Sequence, residues 1–114
     1  MNMTSGAFMV PTATFATSPK LDLLFVPGPP LSYVPPPDFA AFLVKAAAET
    51  PIVMTDCTGA ALLAGEGILD GKRATVNKEV IKDLKTKFPK VDWRMDERWV
   101  VDGKFWTAGG AVTG

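Results

Sequence analysis

Eight of the ten prolines lie between Pro11 and Pro37. Proline fixes φ and removes a backbone donor, so this third of the chain is dominated by loop and extended segments, and regular elements must fit between the prolines or follow them. Residues 1–19 are expected to be extended or poorly ordered. Leu21-Asp22-Leu23-Leu24-Phe25-Val26 is a short apolar run closed by Pro27-Gly28-Pro29-Pro30, the pattern of a strand buried on both faces. Behind Pro35-Pro36-Pro37, the residues Phe39, Phe42, Leu43 and Ala46 recur at helical spacing. Proline suits a first helical turn and Asp38 suits the positive helix end, so an amphipathic helix is predicted, ending near Glu49.

The second half alternates more regularly. Pro51-Ile52-Val53-Met54-Thr55 is another apolar run, followed at once by the helix-favouring Cys57-Thr58-Gly59-Ala60-Ala61-Leu62-Leu63-Ala64. The order is strand, sharp turn, helix. Asp70-Gly71 marks a turn, and Val80, Ile81, Leu84 and Phe88 form the apolar face of a further helix that Pro89 ends, with Asp83 and Lys87 four apart in the favourable order. Arg98-Trp99-Val100-Val101 and Lys104-Phe105-Trp106-Thr107 flank Asp102-Gly103, which predicts a hairpin with cross-strand packing of Trp99 and Trp106. Strands alternating with helices indicate an α/β fold on a mainly parallel sheet, with an antiparallel C-terminal hairpin.

Composition excludes whole classes of function. At 114 residues the chain has room for one domain, read here as residues 1–114. Twelve basic and twelve acidic residues cancel, so no global field draws the chain to nucleic acid or to an anionic membrane. The basic surplus after Asp70 sits largely on the segment from Lys78 to Lys90 and is read as a solvated face. No run approaches the roughly 18 apolar residues of a membrane span, and the start of the chain lacks a basic and apolar leader pattern, so a cytoplasmic location is expected. One cysteine forms no internal disulfide, and without histidine the usual zinc sets cannot be assembled; no metal and no cofactor is expected. The absence of histidine also removes Ser-His-Asp and Cys-His catalysis.

Cys57 falls between an apolar strand and a helix start. Free helical N–H groups there favour thiolate over thiol and can bind an oxyanion forming beside the sulfur, which is the logic of a nucleophile elbow. Gly59 would let such a turn pack tightly. A lone cysteine is also a small buried hydrophobe in many folds, and both roles stand at this point. Glu66, between Gly65 and Gly67, is read as a solvated or capping carboxylate at a helix end.

Four motifs carry a resemblance: Leu23-Leu24-Phe25-Val26-Pro27-Gly28; Asp56-Cys57-Thr58-Gly59-Ala60; Gly67-Ile68-Leu69-Asp70-Gly71-Lys72-Arg73-Ala74-Thr75; and Val101-Asp102-Gly103-Lys104-Phe105-Trp106-Thr107. In this order they resemble the ThiJ/PfpI superfamily, of the class I glutamine amidotransferase-like fold, and within it the isonitrile hydratase-like branch. Asn77-Lys78 and Arg98-Trp99-Val100-Val101 are similar to fungal members. The match runs from about Thr12 to Gly114. It implies a flavodoxin-like three-layer sandwich, commonly a homodimer, with Cys57 as elbow nucleophile and Thr58 lending its backbone N–H and its hydroxyl to the substrate. Gly28, Pro29 and Gly59 would line the oxyanion pocket. In that branch a thiolate attacks an isonitrile carbon and water releases an N-formamide, with a carboxylic acid from the family's N-terminal region handling the proton.

The chain departs from the pattern in three ways. Relatives span roughly 200 residues, within the usual domain range, so this chain is expected to be truncated at both ends and to lack the acidic partner. Asp56 is the carboxylate beside the cysteine and the replacement candidate, although neighbouring strand residues point to opposite faces. Pro29 stands where many relatives have a glycine whose N–H serves as oxyanion donor, and proline has none to give. Three roles follow: a cysteine-dependent hydratase or hydrolase of small electrophiles, a non-catalytic homodimeric interaction module, or a redox and aldehyde-stress protein.

Overall fold

In the computed structural model, which describes residues 10–110, the first regular element is β1 (Leu23–Val26), and α1 (Pro37–Glu49) follows the proline-rich loop. The expected helix forms at its expected bounds, with Pro37 in the first turn and the Asp38 carboxylate accepting from Phe39 N–H at 2.8 Å. Leu43, Ala46 and Ala47 are its buried residues. Residues 10–19 contain no helix or strand, yet Phe15 stacks on Phe39 and Phe42, with ring centroids 5.3 and 5.0 Å apart. Residues 1–9 of the segment expected to be poorly ordered lie outside the described residues.

β2 (Ile52–Asp56), α2 (Gly59–Gly65), β3 (Arg73–Ala74), a 3₁₀ turn at Lys78–Val80, α3 (Ile81–Lys87), β4 (Asp92–Trp93), β5 (Trp99–Asp102) and β6 (Phe105–Ala108) complete the chain. The main sheet has the order β1-β2-β6-β5, with β1, β2 and β6 parallel and β5 antiparallel. The mixed α/β class with a mainly parallel sheet is thus as expected. From β1 to β2 and from β2 to β6 the chain advances in one direction across the sheet. Right-handed crossovers then place α1, α2 and α3 on the same face. Leu24, Val53 and Phe105 align across three strands and pack there with Leu43, Leu63, Ile81 and Leu84 in one core.

The opposite face differs from expectation. β1 was expected to be buried on both sides, but Leu23 and Phe25 are exposed, Phe25 at 53%. Ile52, Trp106 and Trp99, the last at 65%, are exposed with them. Trp99 and Trp106 both alternate onto this face, diagonal to each other across the β5–β6 pair, where they line one shallow pocket that no helix of the described residues covers. Trp93 is buried instead, its indole N–H donating to Phe88 O at 3.2 Å.

The hairpin forms one residue later than expected. Asp102 pairs with Phe105, so Gly103 and Lys104 make the turn, with Gly103 at φ 60. Asp102 is drawn into the strand because its carboxylate accepts from Arg73 N–H at 2.9 Å. Lys104, freed for the turn, donates to the carbonyls of Ala47, Ala48 and Thr50 and closes the C-terminus of α1. The β3–β4 ladder, two residues on each strand, was not predicted. It is tied to the main sheet by Thr75 N–H donating to Thr107 Oγ1 at 2.9 Å and by the Arg73 guanidinium donating to Val101 O at 3.0 Å, while the Thr75 hydroxyl, donating to Arg94 O at 2.9 Å, braces the ladder itself. Lys82, Lys85 and Lys87 are exposed as expected, but the Lys78 ammonium donates to Thr75 Oγ1 at 3.0 Å and to Glu97 O. No helix among the described residues is long and apolar enough to cross a membrane.

Candidate active site

β2 ends at Asp56 and α2 starts at Gly59, so the chain reverses within two residues. Cys57 makes that reversal with φ 55, alone among the described non-glycine residues in having a positive φ. Such a conformation costs an L-residue about 1–2 kcal/mol, so the surroundings must hold it in place. Cys57 N–H donates to Ala108 O at 3.1 Å, which ties the turn to the end of β6. Two glycines, Gly28 and Gly110, pack against it, and a third, Gly59, seats the start of α2 on the end of β1. A Cβ on Gly59 would lie 3.0 Å from the Val26 carbonyl carbon, one on Gly28 would lie 3.0 Å from Cys57 Cβ, and one on Gly110 would lie 2.5 Å from Cys57 Cα. The ends of β1, α2 and β6 therefore converge on this one residue.

Gly28 and Gly59 were expected at the site; Gly110 was missed. Its signal is the Gly109-Gly110 pair directly after β6, where a positive φ of 75 and close backbone approach both require glycine. Thr58 is buried and its hydroxyl donates to Pro29 O rather than capping α2. Pro29 thus enters the site as an acceptor. The Thr58 backbone nitrogen lies 2.7 Å from where a Gly28 Cβ would stand, so the absence of that side chain leaves the space beside it open. Asp56 alternates to the side opposite the buried Thr55; its Oδ1 is buried and has no hydrogen-bond partner among the described residues. No hydrogen bond joins Asp56 to Cys57 among the described residues.

Asn77 was not expected at the site. Its side-chain amide donates from Nδ2 to Cys57 Sγ at 3.8 Å, while its Oδ1 accepts from Glu79 N–H at 3.2 Å and caps the 3₁₀ turn. An asparagine before Lys78-Glu79-Val80 is a recognisable helix-start signal, but its approach to a sulfur twenty positions earlier has no signature in the sequence. Glu66 stands at the C-cap of α2, as read.

Beside the turn lies a cavity of about 270 Å³ between the proline-rich loop, α2 and α3. Pro30, Tyr33, Leu62, Leu84 and Phe88 give it apolar walls, Glu66 and Lys87 are its charged lining, and Pro29 and Thr58 join it to the residues around Cys57. Among the described residues no cluster of three His, Cys, Asp or Glu side chains is placed to hold a metal ion.

The model of the DJ-1/PfpI family matches residues 1–114, the full length of the chain. The chain belongs to the DJ-1/PfpI family. It is similar to the isonitrile hydratase of Pseudomonas putida, at 33% identity over 114 residues that cover 96% of this chain and 48% of that protein. Among solved structures it is similar to a ThiJ/PfpI family protein from Pseudomonas syringae, with a TM-score of 0.75, 26% identity, and coverage of 96% of this chain and 46% of that one. An AraC family transcriptional regulator from Pseudomonas putida has a TM-score of 0.77 at 22% identity, covering 96% of this chain and 59% of that one, a likeness of fold alone. This DJ-1/PfpI chain spans about half the length of the relatives it matches. The turn carrying Cys57 sits in a sheet and helix arrangement shared with DJ-1/PfpI structures.

Proposed function

We propose that Cys57 is the nucleophile of an elbow that hydrates small electrophilic carbon centres, with isonitriles as the substrate class and N-formamides as products. The observation that carries this is the backbone of Cys57: a side-chain residue held at φ 55 between strand and helix, with Gly28 and Gly110 packed against it from two other segments and Gly59 seating the start of α2 on the end of β1. A cysteine serving only as a small hydrophobe needs no such conformation. Similarity to an isonitrile hydratase along 96% of the chain supports the choice of electrophile.

The chemistry is atom-balanced without a cofactor. The sulfur bonds to the terminal carbon of R–N≡C and that carbon takes up one proton, giving a thioimidate, R–N=CH–S–Cys57. Water adds to the same carbon, its two protons pass to the nitrogen and to the departing sulfur, and R–NH–CHO leaves with the thiol restored. The cavity beside Thr58 takes the R group. An apolar cavity of about 150 Å³ admits benzene, so a space of about 270 Å³ suits a ring or a branched alkyl chain.

The test is turnover of an alkyl isonitrile, followed by loss of its infrared stretch and appearance of the N-formamide. Wild type is expected to form product, and Cys57→Ser none. Equal rates in both, or no product from either, would sink the proposal.

A second role, homodimeric interaction, is favoured by the exposed apolar sheet face carrying Leu23, Phe25, Ile52, Trp99 and Trp106. A second copy covering this face would give a dimer by light scattering. A monomer at all concentrations would overturn it.

A further inference from the structure

We propose that Asn77 is a second functional residue of this site, its side-chain amide holding the sulfur of Cys57 through an N–H···S hydrogen bond whose direction is fixed by the helix start it caps. The inference rests on the reading of Cys57 as nucleophile, and it adds a group to which neither motif nor spacing gave a role at the site.

An asparagine amide has an acceptor end and a donor end, and its orientation follows from its partners. One end of Asn77 meets the backbone N–H of Glu79 at 3.2 Å. A backbone N–H only donates, so that end is the carbonyl oxygen. The other end, 3.8 Å from Cys57 Sγ, is therefore the NH₂ group. Turning the amide over would set two donors against each other at Glu79 and would sacrifice the cap, worth about 1 kcal/mol. The cap thus keeps the donor facing the sulfur.

A thiol sulfur is a weak acceptor and a thiolate a stronger one, so the bond gains strength as the proton leaves. It acts twice in the proposed reaction. It favours the thiolate that attacks the carbon, and it favours the same sulfur as leaving group when water displaces it. Thiolate-based sites in other folds use an imidazole for this, but this chain has no histidine. A carboxamide neither gains nor loses a proton near neutrality, so its donor is present whatever the pH.

Asn77→Asp separates the two duties of the side chain. Aspartate caps a helix start as well as asparagine does, so the fold is expected to keep its melting temperature within a few degrees. It replaces the donor with an oxygen carrying negative charge. Alkylation of Cys57 by iodoacetamide at pH 7.5 is expected to slow by about tenfold or more, with the midpoint of the alkylation profile moved to higher pH. Asn77→Ser also caps but is too short to reach the sulfur, and a smaller slowing is expected. It provides the same readout if Asn77→Asp does not fold. Wild-type alkylation in either folded variant, with an unmoved pH profile, would overturn the assignment and leave Asn77 as a cap only. Because the readout is the thiol itself, slowed alkylation in a protein inert toward isonitriles would support Asn77 as donor while overturning the reaction proposed above.

Discussion

Gly59 is the first residue of α2, a position where alanine is intrinsically the better helix former by roughly 0.8–1.0 kcal/mol. Propensity alone therefore predicts that Gly59→Ala stabilises the protein. The packing predicts the reverse. An added Cβ would overlap the Val26 carbonyl oxygen and lie 3.0 Å from its carbon and 3.2 Å from Pro27 O. These are backbone atoms at the end of β1, which no rotamer change can move aside. Relaxed contact needs about 3.5 Å, so α2 or the end of β1 must withdraw by more than about an ångström. Overpacking costs about 1–3 kcal/mol, and a backbone obstacle belongs at the upper end of that range. After the propensity gain is subtracted, a loss of about 2 kcal/mol remains, or a fall of about 10 °C in Tm for a chain of this size. Thermal and urea unfolding followed by far-UV circular dichroism measure this directly. Because α2 also positions Cys57, alkylation should change as well. Gly71→Ala is the contrast: its site has φ 76 and nothing within 4 Å, so a loss of about 1–2 kcal/mol is expected with unchanged alkylation. A Gly59→Ala protein as stable as wild type, or more so, would refute the close approach of α2 to β1.

Lys104→Met removes the ammonium shared by three carbonyls at the end of α1 and is expected to cost about 2 kcal/mol in urea unfolding, since hydrogen bonds to charged groups contribute about 1.5–3 kcal/mol. A loss under about 0.5 kcal/mol would show that water serves those carbonyls equally well. Phe25→Lys places a charge on the exposed sheet face and should leave stability within about 0.5 kcal/mol while weakening any self-association seen by light scattering. Unchanged association would place the contact elsewhere. Cys57→Ser is expected to stay within about 0.5 kcal/mol of wild type and to lose all thiol alkylation; severe destabilisation would instead mark a structural cysteine.

What could be read from the sequence was what local chemistry decides. α1 was legible at both ends because Pro37, Asp38 and a helical apolar stripe all act within a few residues. The hairpin was legible but shifted by one position, because the Asp102 carboxylate is recruited by Arg73, 29 positions earlier. β3 and β4 were illegible: two-residue strands have no periodicity, and tertiary bonds around Thr75 hold them. Exposure of Leu23 and Phe25 could not be read either, since an apolar run looks alike whether one face or both are covered. At the site, Cys57, Thr58 and Gly59 were contiguous and therefore visible. Gly110 and Asn77 arrive from distant parts of the chain, and only the folded sheet shows that they meet the same sulfur-bearing residue.

The left-handed backbone of Cys57 also defines a conflict between durability and use. Domains of this kind are stable by about 5–15 kcal/mol in total, and one residue in this conformation forgoes about 1–2 kcal/mol of that. An engineer optimising thermal robustness alone would install glycine at position 57, as already stands at Gly67, Gly71, Gly103 and Gly110, where φ is also positive. The gain would come at the expense of the molecule's only thiol. Stabilising design on this scaffold therefore has to begin elsewhere, because the left-handed non-glycine position and the chain's single thiol belong to the same residue.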